Sequence, residues 1–175
     1  AVNGKGYIGL GRGPTFLIWN KDMYEFDPNN GTNGTWTQKQ DYPVMTPSTG
    51  VNAVVNFVID NKIYIGTGRL DDSATNDFYK FDPLSAGNQW TAINDFVSIP
   101  RLASLFTSVG NKGYLSCGFL TGSDYLNDFW QYSPNNDTLK IYKSIKPADA
   151  LFISDNNWTN DTANKLYAAN TASKI

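Results

Sequence analysis

At 175 residues the chain has the length of one ordinary domain. A 14% aromatic share beside only 17% charged residues suits packed strands and excludes a disordered chain, while a formal net charge of −2 leaves no basic footprint for nucleic acid or an anionic membrane. With no His and a single cysteine, Cys117, the sequence also excludes an imidazole base, a His-ligated zinc or copper site and an internal disulfide.

Taken in chain order, the first phrase is Gly4–Gly11, Gly-Lys-Gly-Tyr-Ile-Gly-Leu-Gly, a short β-branched and aromatic strand with a glycine exit. A loop from Arg12 to Trp19 follows, then a second strand phrase ending in Phe26-Asp27-Pro28, then a strand around Trp36. The same order returns. Val51–Ile59 is an apolar run interrupted by Asn52 and Asn56, and reads as a leading strand; Asp60-Asn61 supplies the turn. Ile63–Gly68 is the second strand, Arg69–Asn76 a loop, Phe78–Asp82 a third strand, and Gln89–Ile93 a fourth. The longest apolar stretch, Val54–Ile59, is far short of the ~20 residues of a membrane helix, so no membrane insertion is expected. A third passage runs through Asn111–Gly118, a loop at Phe119–Tyr125, and Asn127–Pro134, with Leu139 or Tyr142 where the earlier copies have Trp. Asn164-Lys165-Leu166-Tyr167 then resembles the opening of a fourth copy.

Tyr7, Tyr64 and Tyr114 stand 57 and 50 residues apart, and Pro28, Pro83 and Pro134 stand 55 and 51 apart. A period of this size marks a repeat architecture. Each copy is a four-stranded antiparallel meander, apolar on both faces, which persists only when stacked between others like it. Radial stacking of such sheets is the β-propeller. The expected units are 1–42, 43–96 and 97–146, with 147–175 a partial fourth or an irregular tail, all within one propeller segment. The first unit lacks its leading strand.

The residues Gly11…Tyr24…Trp36 and Gly68…Tyr79…Trp90, with Gly118 and Trp130 in the third copy, resemble the kelch repeat over about residues 1–143. The third copy departs in carrying Ser-Cys-Gly for Gly-x-Gly. The resemblance is nearest to bacterial tandem kelch proteins and the central domain of galactose-oxidase-like proteins, and implies an all-β propeller used for binding and located outside the cytoplasm. It does not carry over copper chemistry, since the His ligands are missing. Three units fall short of the 4–8 of a closed ring, and six would need roughly 300 residues. The chain is therefore expected to be an excerpt, or to complete its ring with a second copy, and its open edges predict self-association.

Repetition separates scaffold from site. Residues recurring in every copy, such as Asp22, Asp77 and Asp128, serve the sheet; the aspartates are expected to accept backbone hydrogen bonds. Trp36 and Trp90 are expected to fill space between sheets. Arg101, after Ile99-Pro100, looks structural, and Cys117, aligned with Thr67 at a strand position, reads as a small buried residue. Loop residues peculiar to one copy are free to bind. These are Arg12, Phe16, Trp19, Arg69, Asp71, Asp72, Asp124 and Tyr125, on one rim by symmetry. Arginine and aromatics are interface anchors, so the expected partner is a protein or polysaccharide. Asp71, Asp72 and Asp124 could instead belong to a carbohydrate-active propeller enzyme with most catalytic residues elsewhere. No cofactor is expected: Asp155–Asp161 fails the calcium-loop pattern, with no glycine at its sixth place and Leu166 at its twelfth. Asn-x-Thr triplets begin at Asn30, Asn33, Asn136, Asn157 and Asn160, and read as turn composition.

Overall fold

The computed structural model describes residues 1–14, 18–44, 50–120, 124–134, 138–143 and 151–152. The chain is all-β and its strands pair antiparallel. The first sheet joins β1 (Gly6–Gly9), β2 (Met23–Asp27) and β3 (Thr35–Gln38) in sequence order. After β4 (Val51–Asn52), a second sheet contains β5 (Val55–Ile59) and β6 (Lys62–Gly66). Two short strands, β7 (Arg69–Leu70) and β8 (Ser73–Ala74), interrupt it before β9 (Phe78–Phe81) and β10 (Trp90–Ala92) complete the order β10-β9-β6-β5. The third sheet runs β11 (Leu105–Val109), β12 (Lys112–Ser116), β13 (Phe129–Ser133), β14 (Thr138–Lys143) and β15 (Leu151–Phe152). All three sheets are antiparallel meanders, but only the middle one has the four strands expected of a unit; the first has three, as its missing leading strand implies, and the third has five. Leu151–Phe152 pairs with Tyr142–Lys143 on the third sheet, within the range assigned by sequence to a fourth unit. The copy at Asn164–Tyr167 lies outside the described residues.

The apolar run Val51–Ile59 is two strands rather than one. Ala53, at φ 51°, breaks it, and Val51–Asn52 turns away to pair with Arg69–Leu70. The polar stretch Arg69–Asn76 accordingly carries a two-rung hairpin, closed at Asp71 with φ 51°. The first unit keeps one residue of its leading strand: Val2 bridges Lys5 across the Asn3-Gly4 turn, just as Ile59 pairs Lys62 across Asp60-Asn61.

The sheets stack through alternate faces. Tyr7 and Met23 of the first, with Val2 beside them, pack against Ile63, Ile65, Phe81 and Trp90 of the second. The opposite face of the second, Val55, Phe57, Ile59, Tyr64 and Phe78, packs against Leu115, Trp130 and Tyr132 of the third. Both faces of the middle sheet are buried, which is why its strands read as apolar runs rather than alternations. A Cβ on Gly113 would lie 2.3 Å from the Phe57 ring, so glycine there makes room for an aromatic from the sheet before it.

Trp36 does not fill space between sheets. It is 59% exposed, whereas Trp90, at the matching register against Phe81, is 3% exposed. The two have the same neighbour, since Phe26–Trp36 and Phe81–Trp90 both stand 4.8 Å apart. They differ because a sheet covers Trp90, while none among the described residues covers Trp36. Opposite Tyr132 the third copy places Leu139, so Leu139 and not Tyr142 stands in the Trp register.

Candidate functional site

The rim is built by one backbone device used three times. Leu10, Thr67 and Cys117 take left-handed φ values of 61°, 50° and 60°, and each is followed by a glycine, Gly11, Gly68 or Gly118, at 88°, 99° or 90°. Two successive left-handed residues turn the chain off the end of the sheet, and the second position needs glycine. Cys117 therefore lies in this turn just past β12 and is only half-buried, contrary to its expected strand position. Each turn is pinned by the repeated aspartate through its main chain: the amides of Leu10, Thr67 and Cys117 donate to the carbonyls of Asp22, Asp77 and Asp128, all at 3.0 Å.

The glycine then reaches the following unit. The Gly11 amide donates to the Val51 carbonyl at 2.9 Å, and the Gly68 amide donates to the Arg101 carbonyl at 2.7 Å. In the same ribbon Asn20 donates to the Gly11 carbonyl and Val51 to the Asn20 carbonyl. Gly50 allows this approach, because a Cβ there would sit 2.2 Å from the Asn20 oxygen. Arg12 bridges Trp19 at one end of the ribbon, and β4 carries β7, with Arg69, at the other.

Two guanidinium groups consequently converge on one indole. Arg12 lies 5.3 Å and Arg69 5.4 Å from the Trp19 ring centroid, one from each of two sequence units. Both distances are within cation–π range. Arg69 is further fixed by Nε donating to the Asp71 carbonyl at 3.1 Å and Nη2 to Asp72 Oδ1 at 2.7 Å. Trp19 is only 7% exposed, so it is a platform that orients the arginines rather than a surface for a ligand to stack upon. Arg12, Asp71 and Asp72 are exposed.

Asp124 and Tyr125 belong to the third unit's rim and are not in this cluster. Phe119 holds the register of Arg12 and Arg69, and pairs with Tyr125 as Arg12 pairs with Trp19. Tyr125, 80% exposed, rests on Phe119 with centroids 5.9 Å apart. The Leu120 amide donates to the Asp124 carbonyl, a local turn contact. Phe16 lies outside the described residues. Among the described residues no group of three His, Cys, Asp or Glu is placed to hold a metal.

Two polar clusters serve the scaffold. Arg101 is fully buried; its Nη2 donates to Asp128 Oδ2 at 2.8 Å, Nη1 to Asp128 Oδ1, and its guanidinium lies 4.6 Å from the Phe96 ring. In the first sheet Tyr7 and Lys5 donate to the two oxygens of Glu25, and Lys39 pairs with it at 3.1 Å. Burial alone would raise the Glu25 carboxyl, but the hydrogen bonds from Tyr7, Lys5 and Lys39 outweigh it and hold the group down to about 2. The same tyrosine position in the third unit, Tyr114, donates to Gln131. Tyr7, Tyr64 and Tyr114 are therefore scaffold, as their recurrence implies.

No family model matches the chain, and no curated protein matches its sequence. Solved structures do match: the structure of YjhT superposes with a TM-score of 0.62 at 12% identity, over 79% of this chain and 42% of that one. The likeness is one of fold. The chain spans less than half the length of that neighbour.

Proposed function

We propose that the chain is a segment of a kelch-type β-propeller that binds a carboxylate-bearing protein or polysaccharide through the rim formed by Arg12 and Arg69. The ring form is supported by three stacked meanders, by the register of their glycine turns, and by the fold likeness to a protein more than twice the matched length. The binding reading rests on a single observation: one buried indole clamps two arginines from successive units. Pre-ordered guanidinium groups bind planar carboxylates with little further loss of side-chain freedom. Asp72 competes for Arg69, and being 92% exposed at its side chain it can give way to a ligand.

Affinity electrophoresis against polygalacturonate, and retention on immobilised polyglutamate, test this. The wild type is expected to be retarded by at least one of them, and Arg12→Ala/Arg69→Ala by neither, with the melting temperature nearly unchanged. Asp72→Asn is expected to bind more tightly. Failure of the wild type to bind either polymer, or equal binding by the double variant, refutes the reading. Trp19→Ala is unsuitable because removing a buried indole costs ~3 kcal/mol or more of stability by itself.

A further inference from the structure

The first and second junctions between units are built on one plan, but the second encloses a guanidinium where the first has a valine. The Gly11 amide meets the Val51 carbonyl as the Gly68 amide meets that of Arg101, so Val51 holds the arginine's place. Two residues on, Ala53 and Ala103 take the same left-handed turn, at φ 51° and 53°. Tyr42 stands for Phe96, their amides donating to the carbonyls of Lys21 and Asn76. Tyr42 meets the Tyr79 ring at 5.1 Å and 72°, as Phe96 meets Trp130 at 4.9 Å and 71°. At the second junction five hydrogen bonds converge on two groups: Arg101 donates twice to the Asp128 carboxylate and once to the Cys117 carbonyl, Trp130 donates to Asp128, and Ser104 donates to Cys117. At the first, Val51, Tyr79 and Val54 stand in the places of those three donors, while the acceptors are kept as Asp77 and the Thr67 carbonyl. Among the described residues nothing donates to the Asp77 carboxylate or the Thr67 carbonyl instead.

We propose that the first junction binds one alkali-metal cation, sodium or potassium, at the place the second junction gives to the Arg101 guanidinium, held by the Asp77 carboxylate, the carbonyl and Oγ1 of Thr67, and the Tyr42 ring and hydroxyl. A second observation points to the same spot. Among the described residues, the buried side-chain oxygens without a hydrogen-bond partner are Tyr42 Oη, Asn52 Oδ1 and Thr67 Oγ1, and all three belong to this junction. Thr67 is wholly buried and Tyr42 3% exposed, so leaving these atoms unpaired is costly. Burial pushes the Tyr42 phenol up, and the neighbouring Tyr79, Asp77 and Asp95 push it further, so it stays protonated with the Asp77 charge in reach. Oxygen acceptors without nitrogen or sulfur select a hard cation. One carboxylate among neutral oxygens balances a single positive charge, as Asp128 balances Arg101. The Tyr42 ring takes the side of the ion that Phe96 takes at Arg101, 4.6 Å from its guanidinium. Such an ion would fix the first two units to each other as Arg101 fixes its segment to the Asp128 turn.

Thermal unfolding of the 175-residue chain at constant ionic strength, with sodium or potassium chloride exchanged for tetramethylammonium chloride, is the test. A saturable rise in melting temperature is expected with one alkali ion, of about 3–6 °C at roughly ten times its dissociation constant, and none with tetramethylammonium. Asp77→Asn is expected to abolish the rise, and Thr67→Val to move it to higher concentration. Val51→Arg supplies the cation from the chain itself, and is expected to melt at the same temperature in all three salts. Should the variants not fold, the wild type still decides: bound thallium(I) should give its own resonance, displaced by potassium. Equal melting of the wild type in the three salts, a rise that persists in Asp77→Asn, or a thallium(I) spectrum with no bound resonance would overturn the proposal. A response to calcium chloride but to neither alkali ion would overturn the single charge assigned to the site.

Discussion

Replacing Arg101 with Met probes the most deeply buried charge in the described structure. Its guanidinium is wholly enclosed, grips both oxygens of Asp128, and donates to the carbonyls of Ile99 and Cys117 at 3.2 and 3.1 Å. Methionine keeps much of the volume but strands the Asp128 carboxylate, which then retains Trp130 Nε1 at 2.8 Å as a donor. Breaking a buried pair from one side costs about 3–5 kcal/mol. Asp128 still has 17% of its side chain exposed, which places the loss near the lower end, at about 3 kcal/mol. Loss of the contact with Phe96 adds up to ~1 kcal/mol. For a chain of this size that lowers the melting temperature by roughly 6–15 °C. Urea unfolding followed by tryptophan fluorescence, at fixed protein concentration, measures it. Arg101→Met/Asp128→Leu should be less destabilised than the two single changes summed, because no charge is left alone. A loss below about 1 kcal/mol for Arg101→Met, or strict additivity in the double variant, would refute the assignment of this pair as the pin that holds the Arg101 segment to the Asp128 turn of the third unit.

Acid should weaken the first sheet. Glu25 titrates at about 2 rather than its ordinary 4.5, so its stabilisation is complete above pH 4.5 and is lost as the pH falls toward 2. Its partners are partly solvated, which limits the contribution to on the order of 1–2 kcal/mol; Glu25→Gln should flatten the stability–pH curve in that window, and an unchanged curve would dismiss the cluster. Gly113→Val should cost about 1–3 kcal/mol by driving a side chain into Phe57, and Phe57→Ala should recover part of that loss rather than add to it. Urea midpoints of the three variants decide the matter; simple additivity would mean that the two residues do not meet.

The strand order within each unit was legible because aromatic and β-branched residues recur at a fixed period, and hairpin turns such as Asp60-Asn61 punctuate them. What escaped was set by contacts between units. The break at Ala53 carries no glycine or proline, and arises because Val51 must serve the preceding unit's Gly11 and Asn20 as well as Leu70. Trp36 and Trp90 have the same local sequence setting, so only the presence or absence of a neighbouring sheet distinguishes them. At the site, Arg12, Trp19 and Arg69 were nominated as loop residues peculiar to one copy, and the structure does bring them together. Their roles were not legible. Nothing local to Trp19 shows that an arginine 50 residues later will cover its ring. Asp72, a candidate acid in the sequence, forms an ion pair with Arg69.

The rim and the stack are therefore one problem. A cluster such as Arg12–Trp19–Arg69 exists only at a junction, since its aromatic comes from one unit and an arginine from the next. The glycine amide that crosses each junction, Gly11 to Val51 or Gly68 to Arg101, sets the height at which the two rims meet. Within the described residues the first junction brings together Arg12, Trp19 and Arg69, whereas the third unit holds Phe119 and Tyr125 at the places of Arg12 and Trp19, so the paired arginines are a feature of the first junction.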